Sequence, residues 1–87
     1  MIRKKTKQEL NTQRRIGQFC KEWRTEKGLT QSQIAELNEV TTSTICDFEK
    51  GNSDNYIYLL TYILQGLPVF PLIEIWGDNY GGKKQTK

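Results

Sequence analysis

The sequence predicts an all-α fold, a compact bundle of about five short helices with a helix-turn-helix at its centre. Three observations predict it. Apolar residues recur at helical spacing, beginning with Ile16, Phe19, Cys20 and Trp23 at i, i+3, i+4 and i+7. Start and stop signals bracket these stretches: Thr30 and Gln33 have capping-box spacing, and Gly28, Gly51 and Gly66 stand where helices should end. Between Gly28 and Gly51 two short helical patterns are separated by three or four residues, the layout of a helix-turn-helix.

Residues 1–11 read as a basic flexible arm and residues 12–77 as the folded domain. Thr6 and Glu9 also have capping-box spacing, so the first helix starts either at Lys7 or after a later candidate cap, Thr12. It should end near Lys27, where Gly28 supplies a left-handed residue and Leu29 the apolar contact after it. A second helix is expected from about Gln31 to Leu37, then a turn at Asn38-Glu39-Val40. Thr41 caps a third, from about Thr42 to Lys50, with Ile45 and Phe48 on one face. After the loop Asn52-Ser53-Asp54, a fourth helix should run from about Asp54 to Leu64 and stop at Gln65-Gly66. In the fifth segment Pro71 suits a first helical turn and Gly77 a stop, whereas Ile73 and Ile75 alternate about Glu74 as in a strand. We take the helix. Residues 78–87 read as a basic disordered tail. By period, the core should hold Ile16, Phe19, Trp23, Leu29, Ile34, Ala35, Val40, Ile45, Phe48, Leu60 and Ile63.

Eighty-seven residues make one small domain with a thin core. The net charge of +3 conceals an asymmetry. Residues 1–27 carry nine Lys/Arg against three acids, residues 28–79 one Lys against seven acids, and residues 80–87 three Lys. A basic arm, an acidic body and a basic tail point to a partner touched by the ends as well as by the helix pair. The plainer reading is that charged termini are simply solvated. No apolar run approaches the ~20 residues of a membrane span, and no apolar segment comes after MIRKKTKQEL as in a secretory signal, so a cytoplasmic address is expected. Cys20 and Cys46 read as small buried or half-buried residues. With no His and no C-x-x-C, neither metal nor cofactor is expected. Catalysis is not expected either: there is no His, no clustered carboxylate pair and no glycine-rich phosphate loop, and hence no small-molecule substrate.

The stretch Arg24-x-x-x-Gly28-Leu29-Thr30-Gln31-x-x-Ile34-Ala35, continuing through Val40-Thr41-x-Ser43-x-Ile45-x-x-Phe48-Glu49-x-Gly51, resembles the XRE/Cro/C1-type helix-turn-helix family of phage repressors. The resemblance covers about residues 14–66 and implies a lambda repressor-like fold. It implies a phosphate contact for Gln31 at the start of helix 2, which the helix dipole and free N–H groups make physically sensible. It also implies base-facing positions at Thr42, Ser43, Thr44 and Asp47, a backbone-phosphate contact at the capping Thr41, and a nearby phosphate for Lys50. Arg24 and Glu49 match a structural ion pair of the family. Two positions depart from the pattern. Glu39 stands where the family's turn has glycine, so Asn38, which tolerates a left-handed backbone better, is a candidate to shift the turn. Helix 3 also lacks the Arg, Asn or Gln that reads G or A through two hydrogen bonds. The plain alternative for Thr42, Ser43 and Thr44 is helix-start chemistry.

The resemblance implies a sequence-specific transcriptional regulator, bound as a homodimer to a two-fold operator in double-stranded DNA. Arg14, Arg15 and the arm residues Arg3, Lys4, Lys5 and Lys7 would add phosphate contacts. Phe70, Leu72, Ile75 and Trp76 are candidates for the dimer surface or, equally, for the cover of the intrachain core. The alternative function is a protein-binding member of the same fold, such as an anti-repressor, an antitoxin-like partner or an accessory factor.

Overall fold

Twenty consecutive residues, Lys7–Glu26, form α1, the longest of the described helices and the one on which three of the later helices pack. The computed structural model describes residues 6–53 and 55–79, and the side chains of all of these except Trp76, Asp78 and Asn79. Four shorter helices come after it: α2 (Gln31–Asn38), α3 (Thr42–Glu49), α4 (Ile57–Leu64) and α5 (Phe70–Asn79). The protein is all-α among the described residues.

Local chemistry sets the starts. Thr6 accepts from the Glu9 N–H while the Glu9 carboxylate accepts from the Thr6 N–H, so the earlier of the two caps is used. Residues 7–11 therefore belong to α1 rather than to an arm. Thr12 is no cap: it is buried inside the helix and its hydroxyl donates to the Gln8 carbonyl. Thr30 and Gln33 close the same reciprocal box on α2. Thr41 Oγ1 accepts from the Thr44 N–H on α3. The α4 start departs from expectation. It falls at Ile57, with the Asn55 carboxamide oxygen accepting from the Ile57 N–H.

The ends share one device. A residue with positive φ stands just past each of the first four helices: Gly28, Glu39, Gly51 and Gly66. The next N–H then bonds back five residues, as from Leu29 to Arg24 and from Val40 to Ala35. Glu39 (φ 57°, ψ 43°) thus takes the left-handed position itself, and the turn is not shifted onto Asn38. Instead Asn38 bridges, donating to the Ile34 carbonyl and accepting from the Thr61 hydroxyl of α4. Gly77 does not stop α5, which continues to Asn79, so residues 78 and 79 are helical rather than tail. The rest of the expected tail, 80–87, and Arg3, Lys4 and Lys5 lie outside the described residues.

The core gathers Ile16, Cys20 and Trp23 of α1, Ile34 and Ala35 of α2, Ile45 and Phe48 of α3, Leu59 and Tyr62 of α4, and Leu67, Leu72 and Ile75 around α5. Each such large apolar side chain removed from water contributes roughly 1.5–3 kcal/mol, which conformational entropy opposes. Phe19, Leu29, Val40 and Ile63 pack against this cluster half-buried. One expectation fails, and one pair of alternatives is decided. Leu60 is exposed, because α4 turns its Leu59 and Tyr62 inward. Of the two readings of Leu72 and Ile75, the cover of the intrachain core holds: both are buried where α5 packs on α1, and so they are not a dimer surface. Phe70 is 80% exposed, with Ile73 on the same outer side. The Trp76 side chain is not among the described ones.

Gly17 sets the approach of α1 to α3. A Cβ there would lie 2.6 Å from the carbonyl oxygens of both Phe48 and Glu49, so the two helices meet backbone to backbone. A turn away, buried Gln13 donates to the Gly51 carbonyl at 2.8 Å. That bond satisfies a buried acceptor just past the end of α3.

Candidate nucleic-acid interface

Helices α2 and α3 are joined by residues 39–41, and α3 divides cleanly into two faces. Ile45, Phe48 and Glu49 are buried. Thr42, Ser43, Asp47 and Lys50 are exposed, and Thr44 and Cys46 are half-buried. Positions 42, 43, 46, 47 and 50 fall on one side of a 3.6-residue period, so the outward face consists mainly of hydroxyls, one carboxylate and one terminal ammonium. Thr44 is less available than expected, because its hydroxyl pairs with that of Thr41 at 2.9 Å. Thr42, Ser43 and Asp47 are the side chains that the fold leaves uncommitted at the front of α3.

Behind this face lies a buried polar knot centred on Glu49. Arg24 grips it with two hydrogen bonds, Nε to Oε2 at 2.7 Å and Nη2 to Oε1 at 3.1 Å. A third Arg24 donor, Nη1, reaches the Leu29 carbonyl at 2.8 Å. Gln31 Nε2 donates to Oε1 at 3.0 Å, and the Tyr62 hydroxyl donates to Oε2. One carboxylate therefore ties together α1, α2, α3 and α4. Burial pushes the Glu49 carboxyl up, but the hydrogen bonds from Arg24, Gln31 and Tyr62 and the Arg24 charge outweigh it and hold it below its ordinary value. Burial first, and then the bond to Glu49, raise the Tyr62 hydroxyl well above the ordinary phenol. The buried Cys20 thiol is pushed up to about 12 by burial and by the Glu49 charge. Sequence reasoning reached Arg24 and Glu49 but left Tyr62 ambiguous, with no role assigned to its hydroxyl. It assigned Gln31 to phosphate, whereas one of its two amide hydrogens is already held inside the protein.

Apart from Lys50 at its end, α3 itself carries no cation. Arg14 and Arg15 are exposed on α1. Gly51 lies so close to Arg14 that an added Cβ would come within 2.6 Å of the Arg14 Cγ. Arg14 and Lys50 are thereby brought to the same end of α3. Lys7, Leu10, Asn11 and Arg14 line a shallow hollow on that flank. Among the described residues no three His, Cys, Asp or Glu side chains gather as metal ligands, and both cysteines are free thiols. No helix among them is long and apolar enough to cross a membrane.

Compared with protein-family models, with curated proteins and with solved structures, the chain gives no match.

Proposed function

We propose that the protein is a DNA-binding regulator that lays α3 in the major groove, as its resemblance to the XRE/Cro/C1-type family implies. The observation that carries this reading is the division of α3. Its inner face is locked by Ile45, Phe48 and the Glu49 knot, while Thr42, Ser43 and Asp47 project from a rigid helix with nothing to do in the fold. A pre-organised helix whose first turns are free and polar is what base reading requires. Hydroxyls accept from or donate to either base type, and Asp47 accepts from cytosine, so readout through this face is permissive. The attraction comes from elsewhere: Arg14 and Lys50 stand together at the end of α3, Arg15 adds charge to the exposed surface of α1, and the N-termini of α2 and α3 offer N–H groups to phosphate. Lys4 and Lys5, outside the described residues, would add further positive charge toward phosphate.

Pairing of two copies on a two-fold operator would use the outer side of α5. Phe70 and Ile73 take the place of the buried Leu72 and Ile75 as the exposed apolar contacts. The test is selection of binding sites from random duplexes, and then anisotropy at moderate salt. Enrichment of a palindromic or repeated half-site supports the reading. Affinity equal for selected and random DNA sinks it.

A further inference from the structure

The most apolar of the described helices leaves three of its seven apolar side chains exposed. In α4 every residue but Thr61 is aliphatic or aromatic, yet only Leu59 and Tyr62 are fully inside. Ile57 and Leu60 are more than half exposed and Leu64 is 82% exposed. These three stand at i, i+3 and i+7 and so form one row along the helix. Thr61 lies in the same row, and its hydroxyl donates to the Asn38 carboxamide oxygen at 2.7 Å, fastening the row to the end of α2. There Leu37, next to Asn38, is again more than half exposed. The four side chains expose on the order of 500 Å² around that hydrogen bond, as much as the largest patch on an ordinary monomer. The adjoining carboxylates of Glu36 and Glu39 are exposed, and neither forms an ion pair among the described residues.

We propose that Leu37, Ile57, Leu60 and Leu64 form a docking face for an amphipathic helix of another protein, basic along the edge that meets Glu36 and Glu39. Two features argue against a second copy of this chain. A two-fold pairing through this face would bring the same acidic rim from both copies into one interface, and gathering like charges there is costly. A stable pairing of whole domains also takes about 800 Å² from each partner, more than this face supplies. A single helix needs less, and its i, i+3, i+4 and i+7 side chains match the α4 row. The inference does not rest on DNA binding, since none of these residues belongs to α3.

The test is an amide-resonance titration of the full chain with a synthetic amphipathic Leu/Lys peptide, and with its Leu/Glu counterpart. Shifts confined to residues 36–39 and 57–64, with the Leu/Glu peptide at least about tenfold weaker, support the proposal. Leu64→Gln and Leu60→Gln should each weaken the Leu/Lys peptide about tenfold. Leu64→Gln should keep the helical signal, the thermal midpoint and the DNA affinity unchanged, which separates this result from any failure of the DNA reading. The proposal is overturned if neither peptide binds, if both bind alike, or if the shifts fall elsewhere. It is equally overturned if sedimentation shows a dimer that Leu64→Gln dissociates.

Discussion

Tyr62 on α4 donates its phenolic hydrogen to Oε2 of Glu49 on α3, in the interior of the bundle. The same oxygen accepts from Arg24 Nε, while Oε1 accepts from Arg24 Nη2 and Gln31 Nε2, so Glu49 has all the donors that a buried carboxylate needs. A paired, fully hydrogen-bonded charge contributes little net stability over an apolar replacement, but removing one member exposes the others to the full desolvation penalty. Tyr62→Phe should therefore cost about 2 kcal/mol, the range for a lost hydrogen bond to a charged group. Glu49→Ala should cost more, roughly 3–5 kcal/mol, because Arg24 is left buried and unpaired. Urea denaturation of the two variants checks the order. If Tyr62→Phe is as costly as Glu49→Ala, the hydroxyl contributes through packing and not through the carboxylate.

Stability should also respond to pH from both sides. The folded Glu49 carboxyl is held below its ordinary value, so as pH falls the unfolded chain binds the proton first. The stability it supplies is present above pH ~4.3 and is lost as pH falls through the lower, folded value. Cys20 works in the opposite sense. Its thiol rises from 9.0 to about 12 on folding, so its contribution is full below pH 9 and is lost between there and about 12. Tyr62, raised above its ordinary 10.0, adds to the alkaline loss. Cys20→Ala should flatten the alkaline limb of a stability–pH curve while leaving the acid limb in place. An unchanged alkaline limb would mean that neither the thiol nor its burial governs that side.

Gly17 and Gly28 are needed for different reasons. Gly17 has ordinary helical φ, but a Cβ would strike the Phe48 and Glu49 carbonyls at 2.6 Å, and backbone cannot swing aside. Gly28 has φ +77° with open space around it, so a side chain there meets only backbone strain. Gly17→Ala should destabilise by about 3 kcal/mol, at the top of the range for overpacking, and Gly28→Ala by about 1 kcal/mol. Equal losses would show that α1 and α3 can part without much cost.

These contrasts explain how much of the fold is legible in the sequence. Capping boxes at Thr6–Glu9 and Thr30–Gln33 span three residues and appear in the string itself, as do the stops at Gly28, Gly51 and Gly66. The Tyr62–Glu49 and Gln13–Gly51 bonds join residues 13 and 38 apart, so no local pattern announces them. Around α4 and α5 the periodicity fails for another reason. With apolar residues on nearly every side, Leu60 looks as core-like as Leu59, and Leu72 as surface-like as Ile73. Only packing against α1 and α2 selects the face. The candidate base-facing positions on α3 stand out because its two faces differ in chemistry.

Glu39 offers a gain rather than a loss. It holds φ 57° where the other three helix ends use glycine, and a left-handed L-residue costs roughly 1–2 kcal/mol. Part of that is offset by the greater unfolded-state freedom of glycine, ~0.4–1 kcal/mol. Glu39→Gly should still raise stability by up to about 1 kcal/mol, seen as a higher thermal midpoint. A lower midpoint would mean that the Glu39 side chain makes a contact worth more than the strain.

The division of labour proposed for DNA separates two kinds of variant. Arg14 flanks the end of α3 and would meet phosphate, so Arg14→Ala should weaken all sequences alike and reduce the slope of log affinity against log salt by about 1. Ser43 stands on the outward face of α3, where a hydroxyl would meet base edges. Ser43→Ala should leave the salt slope unchanged and alter only the preference among sites, by about 1 kcal/mol or less, because a single hydroxyl discriminates less than a bidentate pair. Asp47→Asn tests a third contribution: it removes a negative charge from the groove-facing side, so general affinity should rise severalfold while any preference for cytosine falls. If Asp47→Asn leaves affinity untouched, α3 does not approach DNA, and the basic flank binds without it.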